Sequence, residues 1–261
     1  RVSGWIRLSA FATDTFIMAG LASLGRLLAP VFPRAATWWA TRCSHLWCRV
    51  GCLCFGVRRV VHGRLPRGVF LAAANHLSYL DILVLGSLWP GVFVAKHEIE
   101  RWPLFGVAAG TAGTIFIDRD VAREVVAAGR RVSAVLDSGQ PVTLFPEGRI
   151  TAGASVLPFL PALLAPAARG RVPCHAISLR YDTSEPGVDP ATQICWPDAT
   201  PLIPHALRVA TMRDLRVMVH VSEEPLISDD RKELAGRLHA WVAARFRPMT
   251  APDDAEPSCA P

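Results

Sequence analysis

Residues 69–89 have the sequence VFLAAANHLSYLDILVLGSLW, in which an apolar run passes through a short polar turn into a second apolar run. The first run, at 69–74, has the length of a buried strand, and the second, at 82–89, predicts a helix that ends at Pro90-Gly91. A buried strand that leads into a helix is the repeating unit of an α/β domain. The turn at 75–81 is therefore expected at the carboxyl end of a strand, where open α/β sheets bind ligands.

The same alternation of strands and helices continues along the chain. Apolar or alternating runs predict strands at 92–95, 114–117, 142–145, 172–181 and 215–221, and helical periodicity predicts helices at 119–138 and 229–247. Hydrophobic residues make up 51% of the chain and charged residues 19%, which excludes a disordered protein. We expect a single layered α/β domain over 57–248, preceded by a helix pair in 1–56 and followed by a disordered tail at 249–261.

The front of the chain differs in charge from the rest. Residues 1–68 contain ten arginines, no lysine and a single acidic residue, Asp14, within a chain of net charge +6. Tryptophans and aliphatic residues separate these arginines, which is typical of segments attracted to an anionic membrane surface and not of nucleic-acid-binding tails. Because the chain begins with Arg1, we also expect a further N-terminal stretch to precede it.

Two helices are expected in this front segment, at 8–32 and 35–56. Asp14 and Arg26 interrupt the first, so we expect the pair to sit in one leaflet and not to span the bilayer. The alternative for the second helix is that it covers the core of the protein itself. The seven cysteines lack zinc-site spacing and imply no disulfide framework, which fits the cytoplasmic face of the inner (plasma) membrane. We expect no metal and no cofactor.

The turn at 75–81 carries a histidine and an aspartate, His76 and Asp81. Histidine has an ordinary pKa near neutrality and is suited to general-base catalysis, and a carboxylate can orient its ring. Five positions on one continuous helix lie about 140° apart, so the two side chains can meet only if His76 precedes the first helical turn. Ser78 is the predicted N-cap residue in that case. Two interpretations stay open: Asp81 pairs with His76, or it only caps the helix.

A second polar turn, Phe145-Pro146-Glu147-Gly148-Arg149, also follows an apolar run. Gly148 allows close approach of the backbone to a ligand, and the forked guanidinium of Arg149 matches phosphate oxygens. Glu147 is expected to orient Arg149 or to accept a hydrogen bond from the substrate. Arg119 and Lys96 are further candidates for the same anion, with surface ion pairs as the alternative for each. Together the two turns predict an enzyme that acts on a phosphate-bearing alcohol.

These turns belong to a set of ordered blocks that resembles a known family. Asn75-His76-x4-Asp81 is similar to the first block of the 1-acylglycerol-3-phosphate (lysophosphatidic acid) acyltransferases, which are glycerolipid acyltransferases. The segments 96–106 and 113–119, the turn at 145–148 and Val172-Pro173 resemble the family's later segments in the expected order. The resemblance spans about residues 57–225. One departure is that Arg149 stands directly after Gly148, where the family usually has threonine before arginine or serine, so the acceptor headgroup stays open.

The resemblance implies a membrane-associated O-acyltransferase of phospholipid biosynthesis, with an α/β acyltransferase domain and a membrane-seating helix pair. Its expected reaction moves a fatty acyl group from acyl-CoA or acyl-carrier protein to the sn-2 hydroxyl of lysophosphatidic acid, giving phosphatidic acid. The alternatives are another lysolipid, such as lyso-ornithine lipid, or a non-catalytic lipid-binding member. The resemblance implies catalytic roles for His76 and Asp81 and substrate-binding roles for Glu147, Gly148 and Arg149, with Arg119 and Lys96 as secondary candidates.

Overall fold

The computed structural model describes residues 2–27, 29–102, 105–118, 121–197 and 200–249. Two long helices come first, α1 (Val2–Arg26) and α2 (Pro33–Cys54), and the later helices are α3 (Leu80–Gly86), α4 (Phe105–Thr111), α5 (Ala122–Asp137), α6 (Pro161–Gly170), α7 (Pro190–Gln193), α8 (Leu202–Thr211) and α9 (Arg231–Arg245). The strands are β1 (Val57–His62), β2 (Leu71–Ala74), β3 (Val92–Lys96), β4 (Ile115–Ile117), β5 (Val142–Leu144), β6 (Cys174–Asp182) and β7 (Leu215–Val221), and a 3-10 turn covers His97–Arg101.

In the described part of the chain these strands form one sheet in the order β1-β7-β6-β2-β5-β3-β4. Neighbouring strands run parallel except β6 and β7, which are antiparallel. The carboxyl ends of β2, β5, β3 and β4 therefore lie along one edge of the sheet. The two polar turns, which follow β2 and β5, are brought side by side because these two strands are neighbours.

The two faces of the sheet are covered by different helices, as a layered α/β fold requires. In β2, Ala72 and Ala74 face a core shared with α1, α2, α3 and α8, whereas Leu71 and Ala73 face a core shared with α5, α6 and α9. All four residues of β2 are fully buried, which explains why its sequence is a continuous apolar run and not an alternating one. The predicted α/β architecture is confirmed.

The helix pair α1–α2 packs on the first of these cores. Ala40, Cys48 and Cys52 form part of the buried face of α2, whereas Trp38 and Leu53 are exposed on its other side. The alternative interpretation is confirmed for one face of α2, which covers the core; the other face is apolar and exposed, and its seating in a membrane stays a prediction. By length and composition alone, Ser3–Gly25 of α1 is a candidate membrane span within the described residues.

Several element boundaries differ from the predictions. The helix expected at 82–89 starts at Leu80 and ends at Gly86. Strand β1 and helices α4, α6, α7 and α8 had no predicted counterpart. Six of the seven cysteines are free, five of them buried, and the seventh, Cys259, lies outside the described residues. The same applies to the tail predicted at 249–261, of which only Met249 is described.

Candidate active site

Asn75 is the first residue after β2, and its side chain continues the hydrogen bonding between that strand and β6. Its side-chain Nδ2 donates to the carbonyl oxygen of Leu179 at 3.0 Å, and its Oδ1 accepts from the Leu179 amide at 2.7 Å. The side-chain amide of Asn75 takes the place of the next pair of backbone hydrogen bonds between β2 and β6. The main chain is thereby free to turn away from the sheet at His76 while the buried backbone of β6 stays satisfied.

His76 and Asp81 meet directly at the start of α3. The Nδ1 atom of His76 lies 2.8 Å from Oδ2 of Asp81, whose side chain is completely buried. The same Oδ2 accepts from the backbone amides of Leu77 at 2.7 Å and Ser78 at 2.9 Å. Asp81 therefore binds the histidine ring and also holds the backbone of the turn that precedes its helix, so the two open interpretations are not exclusive.

The predicted capping role of Ser78 is wrong. The residue in the N-cap position of α3 is Tyr79, and the Ser78 hydroxyl is buried without a hydrogen-bond partner among the described residues. The reason is that the amide of Ser78 is itself bound by Asp81, which draws the turn tight and starts the helix one residue later than a Ser78 cap would.

The hydrogen bond to Asp81 fixes the proton on the His76 ring. Because a carboxylate only accepts, Nδ1 donates to it and the lone pair is left on Nε2. The ring is stacked on Phe145, with centroids 3.9 Å apart and planes 11° apart, and its side chain is 14% exposed. An imidazole held in this way, with Nε2 at the edge of a sheet, can act as a general base.

The remaining oxygen of Asp81 is bound by a residue that the sequence motifs did not include. The hydroxyl of Tyr181, fully buried on β6, donates to Oδ1 of Asp81 at 2.6 Å. Burial first, and then the negative charge of Asp81, raises the pKa of Tyr181 well above its ordinary value, so the hydroxyl keeps its proton and remains a donor. The one sequence signal for this residue was a hydroxyl at the end of the apolar run at 172–181.

Glu147 binds backbone amides from two different loops. Its Oε1 accepts from the backbone amide of His76 at 2.7 Å, and its Oε2 accepts from the amide of Leu157 at 2.8 Å. The side chain is only 6% exposed. Each oxygen thus accepts a backbone amide, and Glu147 ties the two polar turns together; its expected role toward Arg149 or the substrate stays a prediction.

The environment of Glu147 also changes its acidity. Burial raises the pKa of the Glu147 carboxyl to about 7, against the opposing effect of the two amide hydrogen bonds from Leu157 and His76. The charge of Asp81 adds to the rise and that of Arg149 reduces it. The Glu147 carboxyl therefore titrates near neutral pH, and the same carboxyl binds the backbone amide of His76.

The other predicted residues lie around this centre. Gly148 has a φ of 84°, which a residue with a side chain adopts only with strain, and Arg149 beside it is exposed. Two residues further on, the amide of Thr151 donates to the carbonyl oxygen of His76 at 3.0 Å. At the end of β3, Lys96 forms an ion pair with Glu98 at 2.8 Å, which was the alternative for that residue. Arg119 lies outside the described residues.

Comparisons with known proteins agree on one family. A family model described as Acyltransferase matches residues 58–180. The 1-acyl-sn-glycerol-3-phosphate acyltransferase of Neisseria gonorrhoeae is 42% identical over 116 residues, which cover 44% of this chain and 45% of that protein. The match thus spans less than half the length of that relative.

Longer matches are found to proteins named for another acceptor. The lyso-ornithine lipid O-acyltransferase of Pseudomonas aeruginosa is 35% identical over 231 residues, covering 87% of this chain and 84% of that protein. The corresponding enzyme of Rhizobium meliloti is 33% identical over 215 residues, with coverages of 78% and 73%. The crystal structure of the 1-acyl-sn-glycerophosphate (LPA) acyltransferase PlsC from Thermotoga maritima superposes with a TM-score of 0.59 at 19% identity, over 92% of this chain and 96% of that one, and so shares the fold.

Proposed function

The chain belongs to the family of lysolipid acyltransferases, and on that premise we propose that it transfers a fatty acyl group from an acyl thioester to the hydroxyl of lysophosphatidic acid. The observation that supports this most directly is the 2.8 Å contact between His76 Nδ1 and Asp81, which leaves Nε2 as a base at the open edge of the sheet. A non-catalytic lipid-binding role does not require that arrangement.

The reaction follows from the state of the histidine ring. Nε2 of His76 takes the proton of the acceptor hydroxyl as its oxygen bonds to the thioester carbonyl carbon, and Asp81 stabilises the resulting imidazolium. When the tetrahedral intermediate collapses, the carbon–sulfur bond breaks and the imidazolium returns the proton to the leaving thiolate. The products are the acylated lipid and a free thiol, and the protein needs no nucleophile of its own.

The acceptor phosphate is proposed to bind at the turn after β5. Arg149 is exposed there, beside Gly148 and within the loop that contacts His76 through Thr151. A guanidinium offers paired donors for a phosphate monoester, and the left-handed Gly148 allows the backbone to approach it. Arg119 is a further candidate for this anion, and Lys96 would have to exchange its ion pair with Glu98 to join it.

A second acceptor is supported by a separate observation. The relatives that match most of this chain, at 78–87% coverage, are lyso-ornithine lipid acyltransferases. The relative with the higher identity, named for lysophosphatidic acid chemistry, matches 44% of this chain. Lyso-ornithine lipid is therefore the second candidate, with the same transfer to a hydroxyl and the same base.

The proposed location is a membrane surface on the cytoplasmic side. Phe16 and Leu24 of α1, together with Trp38, Trp39 and Leu53 of α2, expose large apolar side chains to solvent. Such a surface is expected to enter the interfacial region of a bilayer, with arginines such as Arg42, whose guanidinium lies 5.2 Å from the Trp38 ring, near the headgroups. Seating in one leaflet remains our proposal for the helix pair.

The test is acyl transfer from a labelled acyl thioester, measured in membranes that contain wild-type protein or His76→Ala. Each is given lysophosphatidic acid and lyso-ornithine lipid separately. We expect product with the wild type and a loss of about 100-fold or more in the variant, since a positioned base contributes about 10²–10⁴ in rate. His45→Ala, whose ring contacts the carbonyl of Gly86 on the α2 side, is the matched histidine control.

The outcomes separate the acceptor from the mechanism. Activity on lyso-ornithine lipid alone would assign the second acceptor and leave the roles of His76 and Asp81 unchanged. Equal rates for wild type and His76→Ala would refute the base, and a wild-type protein inactive on both acceptors would refute the proposed function.

A further inference from the structure

A cleft with a volume of about 550 Å³ lies away from the active-site turns, between α9 and the strands β1 and β7. Its lining includes His62 of β1, His220 of β7, and Arg237, Trp241 and Arg245 of α9. The three α9 residues are four positions apart and so share one face of the helix. Pockets of 300–1,000 Å³ are typical of small-molecule sites.

The cleft offers two flat aromatic surfaces. His62 and His220 are register partners on adjacent parallel strands, and their rings stack with centroids 4.5 Å apart and planes 11° apart. On the opposite side the guanidinium of Arg245 lies 3.9 Å from the centre of the Trp241 ring. Flat surfaces of this kind bind a planar heterocyclic base by stacking.

The charges of the cleft are arranged in two groups. Arg237 and Arg245 supply the cations of the lining, and burial, followed by the proximity of His62, Arg245 and Arg247, lowers the pKa of His220. Glu223 and Glu224 are exposed on its lining. Guanidinium groups suit phosphates, and carboxylates suit the hydroxyls of a ribose, so the two groups match different parts of one nucleotide.

One end of the cleft is level with the carboxyl end of β2, and its lining extends from there towards the amino end of that strand, where Leu226 pairs with Cys174, the register partner of Leu71. His220 is the register partner of Ser178, and the preceding residue of β6, Ile177, is the partner of Ala74 at the end of β2. Three strand intervals of about 4.8 Å place β1 about 14 Å from β2. Because side chains alternate along a strand, His220 faces away from the core that contains Val219, Val221 and the helix pair. The cleft is thus on the face of the sheet opposite to α1–α2.

The chain itself connects the cleft to the active site. After α9 ends at Arg245, the following segment reaches Met249, whose amide donates to the carbonyl of Gly153 at 3.0 Å. Gly153 follows Thr151 in the loop that binds His76. A ligand held at Arg245 therefore lies at one end of a short segment whose other end is bound to the catalytic loop.

We propose that this cleft binds the phosphorylated adenine nucleotide at the end of a coenzyme A thioester. The base stacks on the aromatic surfaces, Arg245 binds its phosphates, and Glu223 or Glu224 binds the ribose. The flexible pantetheine arm then carries the thioester along the sheet edge to His76. This inference rests on the proposed acyl transfer and assigns a binding site to its donor.

The experiment compares two donors that differ only in the nucleotide, acyl-CoA and the corresponding acyl-pantetheine, with wild type, Arg245→Glu and Arg245→Lys. We expect Arg245→Glu to raise the KM for acyl-CoA by about tenfold or more, the size of a lost charge-assisted phosphate contact, and to leave the kinetics of acyl-pantetheine unchanged. Arg245→Lys should be intermediate. Arg231→Glu, an exposed arginine at the other end of α9, is the charge-matched control.

Binding of free coenzyme A to the purified full chain, measured by calorimetry, separates this site from the activity. Weaker binding to Arg245→Glu than to Arg231→Glu supports the cleft even if no acyl transfer is found, in which case only the proposed function fails. Equal changes for both donors, unchanged coenzyme A binding, or an effect confined to acyl-carrier protein as donor would overturn the assignment.

Discussion

The carboxylate of Asp81 illustrates how much of the site is fixed at the scale of a single residue. It accepts four hydrogen bonds, from the ring of His76, from two backbone amides of the turn and from the hydroxyl of Tyr181. A buried carboxylate with this many donors keeps its orientation. The ring of His76 has therefore one position available to it relative to the carboxyl edge of the sheet.

Replacement of Tyr181 by phenylalanine tests this arrangement. The change removes the donor to Oδ1 and leaves a buried acceptor unsatisfied, which costs about 1–3 kcal/mol. The same loss in the transition state would lower kcat by about 5- to 150-fold. Less of the negative charge is then dispersed to Tyr181, so Asp81 attracts the imidazolium more strongly. The acidic limb of the kcat profile should shift to higher pH.

The control is the chain's other tyrosine. Tyr79 is partly buried, and its hydroxyl lies 3.3 Å from Nδ1 of His205 and not on Asp81. Tyr79→Phe should leave the pH profile in place. A Tyr181→Phe enzyme with a reduced rate but an unmoved acidic limb would show that the residue stabilises the fold without positioning Asp81.

At the scale of elements, sequence periodicity predicted the strands and helices in which the order of apolar and polar residues follows the order of buried and exposed positions. β7 alternates buried and partly exposed residues and was found as predicted, and the continuous apolar run of β2 gave the right strand within two residues. Helix α6 was missed because Pro166 lies inside it, which sequence rules count against a helix. β1 was missed because it is an edge strand with adjacent arginines, Arg58 and Arg59, and only Val57 fully buried.

The site was predictable to the extent that its contacts are local. The spacing of His76 and Asp81 allowed them to meet before the first turn of α3, and they do. The partners of Glu147 were not predictable, because Leu157 contributes only a backbone amide, which no residue type encodes. Tyr181 is one hundred positions from Asp81, so its contact depends on the pairing of β2 with β6.

Asn75 offers a test at the element scale, because its side chain makes hydrogen bonds that a neighbouring strand would otherwise make with β6. Asn75→Ala leaves both the amide and the carbonyl of Leu179 buried without their partner. We expect a loss of about 2–4 kcal/mol in the free energy of unfolding, from two unsatisfied groups at about 1–3 kcal/mol each after partial relaxation. Urea unfolding measures it, with Thr183→Ala, whose hydroxyl bonds the Asp214 carbonyl near the end of β6, as the control. A loss no larger than that of Thr183→Ala would contradict the role of Asn75.

At the scale of the whole molecule, Glu147 links stability to pH. Its pKa is raised from an ordinary 4.5 to about 7, so between these values the folded protein holds a proton that the unfolded chain releases. The stability from this group is therefore complete below about pH 4.5 and is lost as the pH rises through 7. The full shift corresponds to about 3 kcal/mol.

Glu147→Gln removes this titration and should flatten the dependence of the unfolding free energy between pH 5 and 8. The amide has one acceptor oxygen, so either His76 or Leu157 also loses its hydrogen bond, and kcat should fall by about tenfold or more. The measurement is the wild-type-minus-variant difference in unfolding free energy across that range. A difference that does not change with pH would contradict the raised pKa.

The dependence of the catalytic turn on β6 has a consequence for the order of events during synthesis. A ribosome makes the histidine, the aspartate and the glutamate well before residues 174–182, and domains form as their sequence emerges. Until β6 has been made, the side chain of Asn75 has no Leu179 backbone to bind, and Asp81 lacks the hydrogen bond from Tyr181. A nascent chain that already carries His76, Asp81 and Glu147 is therefore expected to be inert. The proposed acyl transfer is expected to begin only when the centre of the sheet has closed, so the synthesis of β6 would act as its activation step.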